Sequence, residues 1–215
     1  NNHEQILTEE KIDLRVRVIC DLGRTLKHEE RIPLDRYEEA WDAAKDTKDL
    51  TISQVSDFVK GTHYPHSIMI DCTASEEVAT YHESWLRKGI HVVSANRKGG
   101  SAELFNFQAC ELASLEHNCH WNYAVTVAGP LPVTVAIQDL QATGDKIHKV
   151  EGLLSNSMDH VFSGLSSFTP DPKTPTLKFS EAVLAAIKQG CMEAVGVDEL
   201  SGIDVARRCL ILARS

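Results

Sequence analysis

Two short runs decide the fold: Ser67-Ile68-Met69-Ile70-Asp71-Cys72 and His91-Val92-Val93-Ser94. Both are apolar, short and bounded by polar or glycine-containing segments, so each reads as a buried strand. Between them, Thr73-Ala74-Ser75-Glu76-Glu77 offers a hydroxyl cap with acids in the first turn, opening a helix through Arg87 that Gly89 closes. A second helix, Ala102 to Leu115, follows the second strand. Strand, helix, strand, helix is the rhythm of a parallel α/β sheet. Right-handed crossovers bring the strand ends to one edge, and ligands bind beyond the carboxyl ends of such strands. Thr73, Ser75, Ser94, Asn96 and Arg97 fall there.

Outward from this unit, Ile12 to Cys20 alternates apolar with charged residues and reads as a strand, preceded by a helix-like His3 to Lys11. Helical patterns cover Asp35 to Ala44 and Thr51 to Lys60, with Thr51 and Ser53 both suited to cap the latter. Beyond Val127 the texture changes. Ala128-Gly129-Pro130-Leu131-Pro132 is a turn, Val133 to Thr143 a helix, Ile147 to Leu154 a strand and Asp159 to Leu165 a short helix. Ser166 to Pro175 holds three prolines and reads as a loop. Ser180 caps a helix to Lys188 that Gly190 stops, and Ile203 to Arg214 is an amphipathic helix. No G-x-G-x-x-G occurs. Either the fold is not a dinucleotide fold, or the chain starts after that fold's first strand.

The chain has 215 residues, 42% hydrophobic, with 22 basic against 31 acidic side chains and a net charge of −9. That length suits one large domain or two small ones with a core that needs no staples. The acidic balance argues against a nucleic-acid face or an anionic-membrane surface. No run approaches the roughly 18 apolar residues of a membrane span, and Asn1-Asn2-His3-Glu4-Gln5 is no signal peptide. The six cysteines form no C-x-x-C pair and read as reduced thiols. The ten histidines are dispersed; the closest pair, His63 and His66, falls short of a four-ligand zinc site.

Three runs together carry a resemblance: Asp71-Cys72-Thr73, His91-Val92-Val93-Ser94-Ala95-Asn96-Arg97-Lys98, and Asp198-Glu199-Leu200-Ser201-Gly202-Ile203-Asp204-Val205-Ala206-Arg207-Arg208. The chain resembles homoserine dehydrogenase, most closely the form fused to aspartate kinase, from about His3 to Ser215. The resemblance covers the central part of that family's domain. It implies an α/β fold, a partial Rossmann-like parallel sheet (1–122) followed by an α+β catalytic and dimerisation region with a mixed sheet (123–215). It implies an oxidoreductase that moves a hydride between NADPH or NADH and aspartate semialdehyde. Thr73, Ser75, Ser94 and Asn96 then look like cofactor contacts. Glu193, Glu199, Asp204 and Ser157 take substrate-binding positions, the acids suiting an ammonium group. Val127 and Gly129 match the loop that binds a monovalent cation. A homodimer, a fused kinase and a cytoplasmic or plastid location follow from the same resemblance.

The departures bear on chemistry. Where the family has lysines, this chain has Arg97, with Lys98 beside it, and Arg208. Carbonyl reduction needs a proton donor whose pKa lies near the operating pH. Arginine stays protonated and holds a fixed positive charge, stabilising an oxyanion without donating a proton. The family's V-G-A-G-L-P reads Val127-Ala128-Gly129-Pro130-Leu131-Pro132, its G-[TS] step reads Asn156-Ser157, and Cys191 stands in place of a tyrosine. Three readings follow: an enzyme with impaired turnover carried by Arg97, Lys98 and Arg208, an inactive relative kept for dimerisation or regulation, or a fragment of a longer bifunctional enzyme.

Overall fold

The computed structural model describes residues 3–21, 23–44, 50–61, 64–165, 177–192 and 197–215. The chain enters through a helical turn, His3–Gln5, that widens into a π-helical turn, Ile6–Glu10, and ends at Lys11 in the left-handed region. Strands β1 (Val18–Asp21) and β2 (Arg24–Lys27) then form an antiparallel hairpin. This corrects the expected strand from Ile12 to Cys20. Only its end joins a ladder, and Ile12 and Leu14 lie about half exposed with no strand beside them. Alternation specifies two faces but not a partner, and an extended segment counts as sheet only when its N–H and C=O groups find one.

Helix α1 (Tyr37–Ala43) follows, then α2 (Ile52–Lys60). Thr51 caps α2 in a reciprocal box: its hydroxyl accepts from the Gln54 N–H, while the Thr51 N–H donates to the Gln54 side chain. Arg17 ties hairpin to helix, its guanidinium lying 4.4 Å from the Phe58 ring centroid and 4.5 Å from that of Tyr64.

The parallel sheet holds β3 (Ile68–Asp71), β4 (His91–Ser94) and β5 (Trp121–Asn122) in the order β3-β4-β5. Ile68 faces His91 and Asp71 faces Ser94 across the first pair. Two short helices, α3 (Glu76–Thr80) and α4 (His82–Arg87), make the crossover between β3 and β4. Helix α5 (Arg97–Gly100) and the longer α6 (Leu104–Glu116) make the one between β4 and β5. Trp85, Leu86, Ile90, Val92, Cys110, Ala113 and Cys119 close the main core between them. β4 is central, and β3 forms an edge on which Ile70 remains 67% exposed.

Beyond the sheet come α7 (Val125–Ala128), α8 (Val133–Ala142), α9 (Asn156–Leu165), α10 (Phe179–Lys188), α11 (Val197–Leu200) and α12 (Ile203–Arg214). Among the described residues no strand follows Asn122, so the strand expected at Ile147 to Leu154 is corrected: it has no ladder partner, and Leu153 is 85% exposed. The mixed sheet expected of this half has no strand among the described residues. The cap of α10 is Lys178, not Ser180, because Glu181 reaches back to the Lys178 N–H at 2.9 Å. Helices α9 and α10 bury Val161, Ala182 and Ala186 between them. Helix α12 returns to the sheet half: Ile211 joins Phe107, Tyr123 and Val127, and Arg214 donates to the carbonyls of Gly100 and Ala102. The proline-rich segment read as a loop, His63 and Glu193 lie outside the described residues.

All six cysteines are free thiols, Cys110 and Cys119 buried, Cys20, Cys72 and Cys209 exposed. No helix among the described residues is long and apolar enough to cross a membrane.

Candidate functional site

The carboxyl ends of β3 and β4 meet around one buried carboxylate. Asp71, the last residue of β3, receives four hydrogen bonds, two on each oxygen. Oδ1 accepts from the Thr73 N–H at 2.9 Å and its hydroxyl at 2.8 Å. Oδ2 accepts from Asn96 Nδ2 at 3.0 Å and pairs with His82 Nε2 at 2.9 Å. Burial alone would push this carboxyl up, but the donors on His82, Thr73 and Asn96 outweigh it and hold the pKa below its ordinary value. Asp71 stays ionised inside the fold because its donors replace the water it lost.

Thr73 and Ser75 are both engaged locally. The Thr73 hydroxyl also accepts from the Ser75 N–H, and the Ser75 hydroxyl caps α3 by accepting from the Val78 N–H. Ser94 closes the β4 turn by accepting from the Asn96 N–H. Asn96 spans the two strand ends, donating to Asp71 and to the Ser75 carbonyl at 2.8 Å while capping α5 through the Lys98 N–H. Around them Cys72, Thr73, Ala74 and Ala95 are small and exposed, forming a shelf at the strand tips.

Asn96 leads directly into a second cluster. Arg97 Nη1 lies 2.8 Å from Asp204 Oδ1, and its Nε donates to the Thr126 carbonyl at 3.0 Å. Arg208, one turn after Asp204 on α12, meets the other oxygen through Nη2 at 2.8 Å and Nε at 3.0 Å. Its Nη1 donates to the Val127 carbonyl at 2.9 Å. Gly202, with φ +79°, turns the chain so that Asp204 enters the first turn of α12, where the helix dipole favours an acid. The Asp204 side chain is 7% exposed, that of Arg208 12% and that of Arg97 34%.

The structure therefore joins Thr73, Ser75, Ser94, Asn96, Arg97, Asp204 and Arg208 in one continuous set of contacts. Lys98 adjoins them, half-buried, on the first turn of α5. Ser157 is elsewhere, donating to the Cys191 carbonyl at 2.7 Å. Glu199 sits half-buried on α11, where its neighbour Asp198 pairs with Arg207. Gly129 ends α7 with its N–H on the Val125 carbonyl. A cation beside Val127 does not fit, because that carbonyl already accepts the Arg208 guanidinium and a second positive charge would repel it. No group of three or more His, Cys, Asp or Glu side chains forms a metal-binding set among the described residues.

Sequence reasoning missed Asp71 and His82 as site-building residues. The signal for Asp71 was present, since an Asx residue two positions before a Thr commonly accepts that residue's N–H. None existed for His82, which sits in an otherwise ordinary amphipathic stretch.

Two family models match the chain: the homoserine dehydrogenase NAD-binding domain over residues 3–124 and homoserine dehydrogenase over residues 132–215. The chain belongs to the homoserine dehydrogenase family. A chloroplastic bifunctional aspartokinase/homoserine dehydrogenase of Daucus carota is 36% identical over 205 residues, 95% of this chain and 21% of that protein. A homoserine dehydrogenase of Emericella nidulans is 32% identical over 195 residues, 90% of this chain and 52% of that protein. The chain thus spans about a fifth of its bifunctional relatives' length and about half of the monofunctional one's. Among solved structures, a Candida auris protein of unknown function superposes with TM-score 0.76 at 27% identity, covering 93% of this chain and 55% of that one. A hyperthermophilic archaeal homoserine dehydrogenase in complex with NADPH shares the fold, with TM-score 0.72 at 17% identity, covering 98% and 63%.

Proposed function

We propose that this chain supplies the strand-tip shelf and the aldehyde site of a homoserine dehydrogenase, an oxidoreductase that interconverts aspartate semialdehyde and homoserine with NADPH or NADH. Residues 1–122 make the incomplete dinucleotide-binding region and 123–215 the incomplete catalytic and dimerisation region. The observation that carries the reading is the pair Arg97 and Arg208 held on Asp204 one residue from Asn96. It sets two fixed positive charges beside the ends of parallel strands, where ligands of such sheets bind.

Thr73, Ser75, Ser94 and Asn96 hold the nicotinamide side of the cofactor, and the small exposed residues of the shelf suit it. When bound, the cofactor supplies the hydride. Arg97 and Arg208 stabilise negative charge on the carbonyl oxygen as it becomes an alkoxide. Lys98, on the same turn as Arg97, is the titratable proton donor. Asp204 holds the two guanidiniums in place; with both its oxygens engaged, the substrate ammonium falls to Glu193 and Glu199. A homodimer and a fused aspartokinase, in plastid or cytoplasm, complete this reading by analogy with the bifunctional relatives.

A second reading, an inactive relative kept for dimerisation or regulation, is favoured by the saturation of Asp204 and by the arginines at both family lysine positions. One experiment separates them. The protein is titrated with NADPH by fluorescence and assayed for homoserine-dependent reduction of NADP+ or NAD+, beside Arg97→Lys/Arg208→Lys. Turnover by the natural protein establishes the first reading. Turnover only after the double reversion establishes the second, and cofactor binding without turnover in either protein sinks the dehydrogenase reading. Failure of the reverted protein to bind NADPH implicates the glycine-loop strand that this region lacks.

A further inference from the structure

His82 is the one side chain on the Asp71 carboxylate that belongs neither to the strand tips nor to the loops that follow them. It is fully buried, as is the carboxylate it meets. Its ring lies 5.5 Å from that of Trp85 and 6.3 Å, edge-on, from that of Trp121. Its second nitrogen, Nδ1, is buried without a partner and faces Gly99, where an added Cβ would stand 2.6 Å from it. The ionised Asp71 carboxylate can only accept, so the His82 Nε2 carries a proton and donates it to Oδ2. Gly99 is required for this fit: only a residue without a side chain lets α5 lie against the ring.

The consequence lies at the strand tips. Asp71 can hold Thr73 with one oxygen and Asn96 with the other only while its own orientation is fixed, and His82 is the rigid donor that fixes it. From Asn96 the same constraint passes into α5 and so to Arg97. We propose that His82 is a positioning residue for the cofactor shelf, acting through Asp71 on Thr73 and Asn96 and touching neither cofactor nor substrate. This inference rests on the assignment of Thr73 and Asn96 to the nicotinamide side.

Its test compares His82→Gln, which keeps an N–H donor near the Nε2 position, with His82→Leu, which removes it. The first readout needs no cofactor: NMR of the Thr73 backbone N–H and the Asn96 side-chain amide, with the 15N shifts of His82 in the natural protein. The expected pattern is a protonated, hydrogen-bonded Nε2 in the 15N spectrum. Thr73 N–H exchange should quicken by about tenfold in His82→Leu, as for one lost hydrogen bond, and recover in His82→Gln. The second readout is NADPH affinity, expected to weaken by a similar factor in His82→Leu and to recover in His82→Gln even if both variants melt earlier than the natural protein. Lower thermal stability in His82→Leu with unchanged Thr73 and Asn96 signals would overturn the proposal, as would an unprotonated Nε2 in the natural protein. If the natural protein binds no NADPH while the NMR pattern holds, the cofactor assignment fails and the positioning of the strand tips stands.

Discussion

Replacing Asp204 with Asn removes the one negative charge between two guanidiniums while nearly preserving shape. Breaking a buried ion pair by neutralising one partner costs about 3–5 kcal/mol, because the other charge stays buried. That figure applies only in part. Arg208 is 12% exposed and keeps its bond to the Val127 carbonyl, which places its share at about 2 kcal/mol. Arg97 is a third exposed, so its share falls to about 0.5–1 kcal/mol, the range of solvent-screened pairs. The sum, about 3 kcal/mol, corresponds to a fall in melting temperature of about 6–12 °C in a chain of this size. Urea unfolding followed by far-UV circular dichroism reads it as a lower midpoint at constant slope. In an Arg208→Met background Asp204→Asn should cost no more than about 1 kcal/mol, and in an Arg97→Met background it should cost at least about 2 kcal/mol. A loss under about 1 kcal/mol in the natural background would refute the claim that Asp204 organises the cluster.

Three further outcomes follow from single sites. His91 accepts the His120 N–H on its Nδ1, and burial together with His120, His66 and Lys60 lowers its pKa below the ordinary 6.5. The neutral ring is favoured in the fold, so this stability is present above pH 6.5 and is lost as pH falls through the lowered value. NMR titration should place the His91 midpoint below the ordinary 6.5, with His120 amide exchange rising over the same interval. Gly99→Ala forces a methyl into the His82 ring and is expected to cost about 1–3 kcal/mol in urea unfolding, as overpacking does. Burial raises the Cys110 thiol to about 12, so a disulfide reagent at pH 8 should label the exposed Cys72 and Cys209 within minutes and Cys110 only after unfolding.

How far the sequence foretold this molecule varies with what each pattern encodes. His91–Ser94 and Ile203–Arg214 form as read, because a β-branched run flanked by turn signals and an amphipathic stretch each carry their own geometry. The parallel pairing of β3 with β4 was legible for the same reason, since a helix of suitable length lies between them. Ile12 to Cys20 and Ile147 to Leu154 were not, because period-two alternation is equally satisfied by a hairpin arm or by an exposed segment. Ser180 misled because a hydroxyl near a helix start looks like a cap, whereas Glu181 closes the box on the residue before Phe179. At the site, Arg208 beside Asp204 is a one-turn helix contact that spacing reveals. Arg97 reaches the same carboxylate from far along the chain, and only the packing of α12 on α5 and α7 brings it there.

That packing bears on why arginine stands at both positions. Each guanidinium joins the Asp204 carboxylate to a backbone carbonyl of α7, Arg97 to Thr126 and Arg208 to Val127. A planar fork reaches two acceptors at once from a fixed stem, and an ammonium in its place holds them only as a point charge. The two arginines therefore build a clamp between α12, α5 and the short helix α7. Arg97→Lys/Arg208→Lys should consequently lose stability, by about 1–3 kcal/mol if one or two charge-assisted bonds are weakened, whatever it does to turnover. An accompanying gain in homoserine oxidation would show stability and proton transfer drawing on the same two positions in opposite directions. Unchanged unfolding midpoints would mean that the forks add nothing beyond their charge, and the clamp would have to be abandoned.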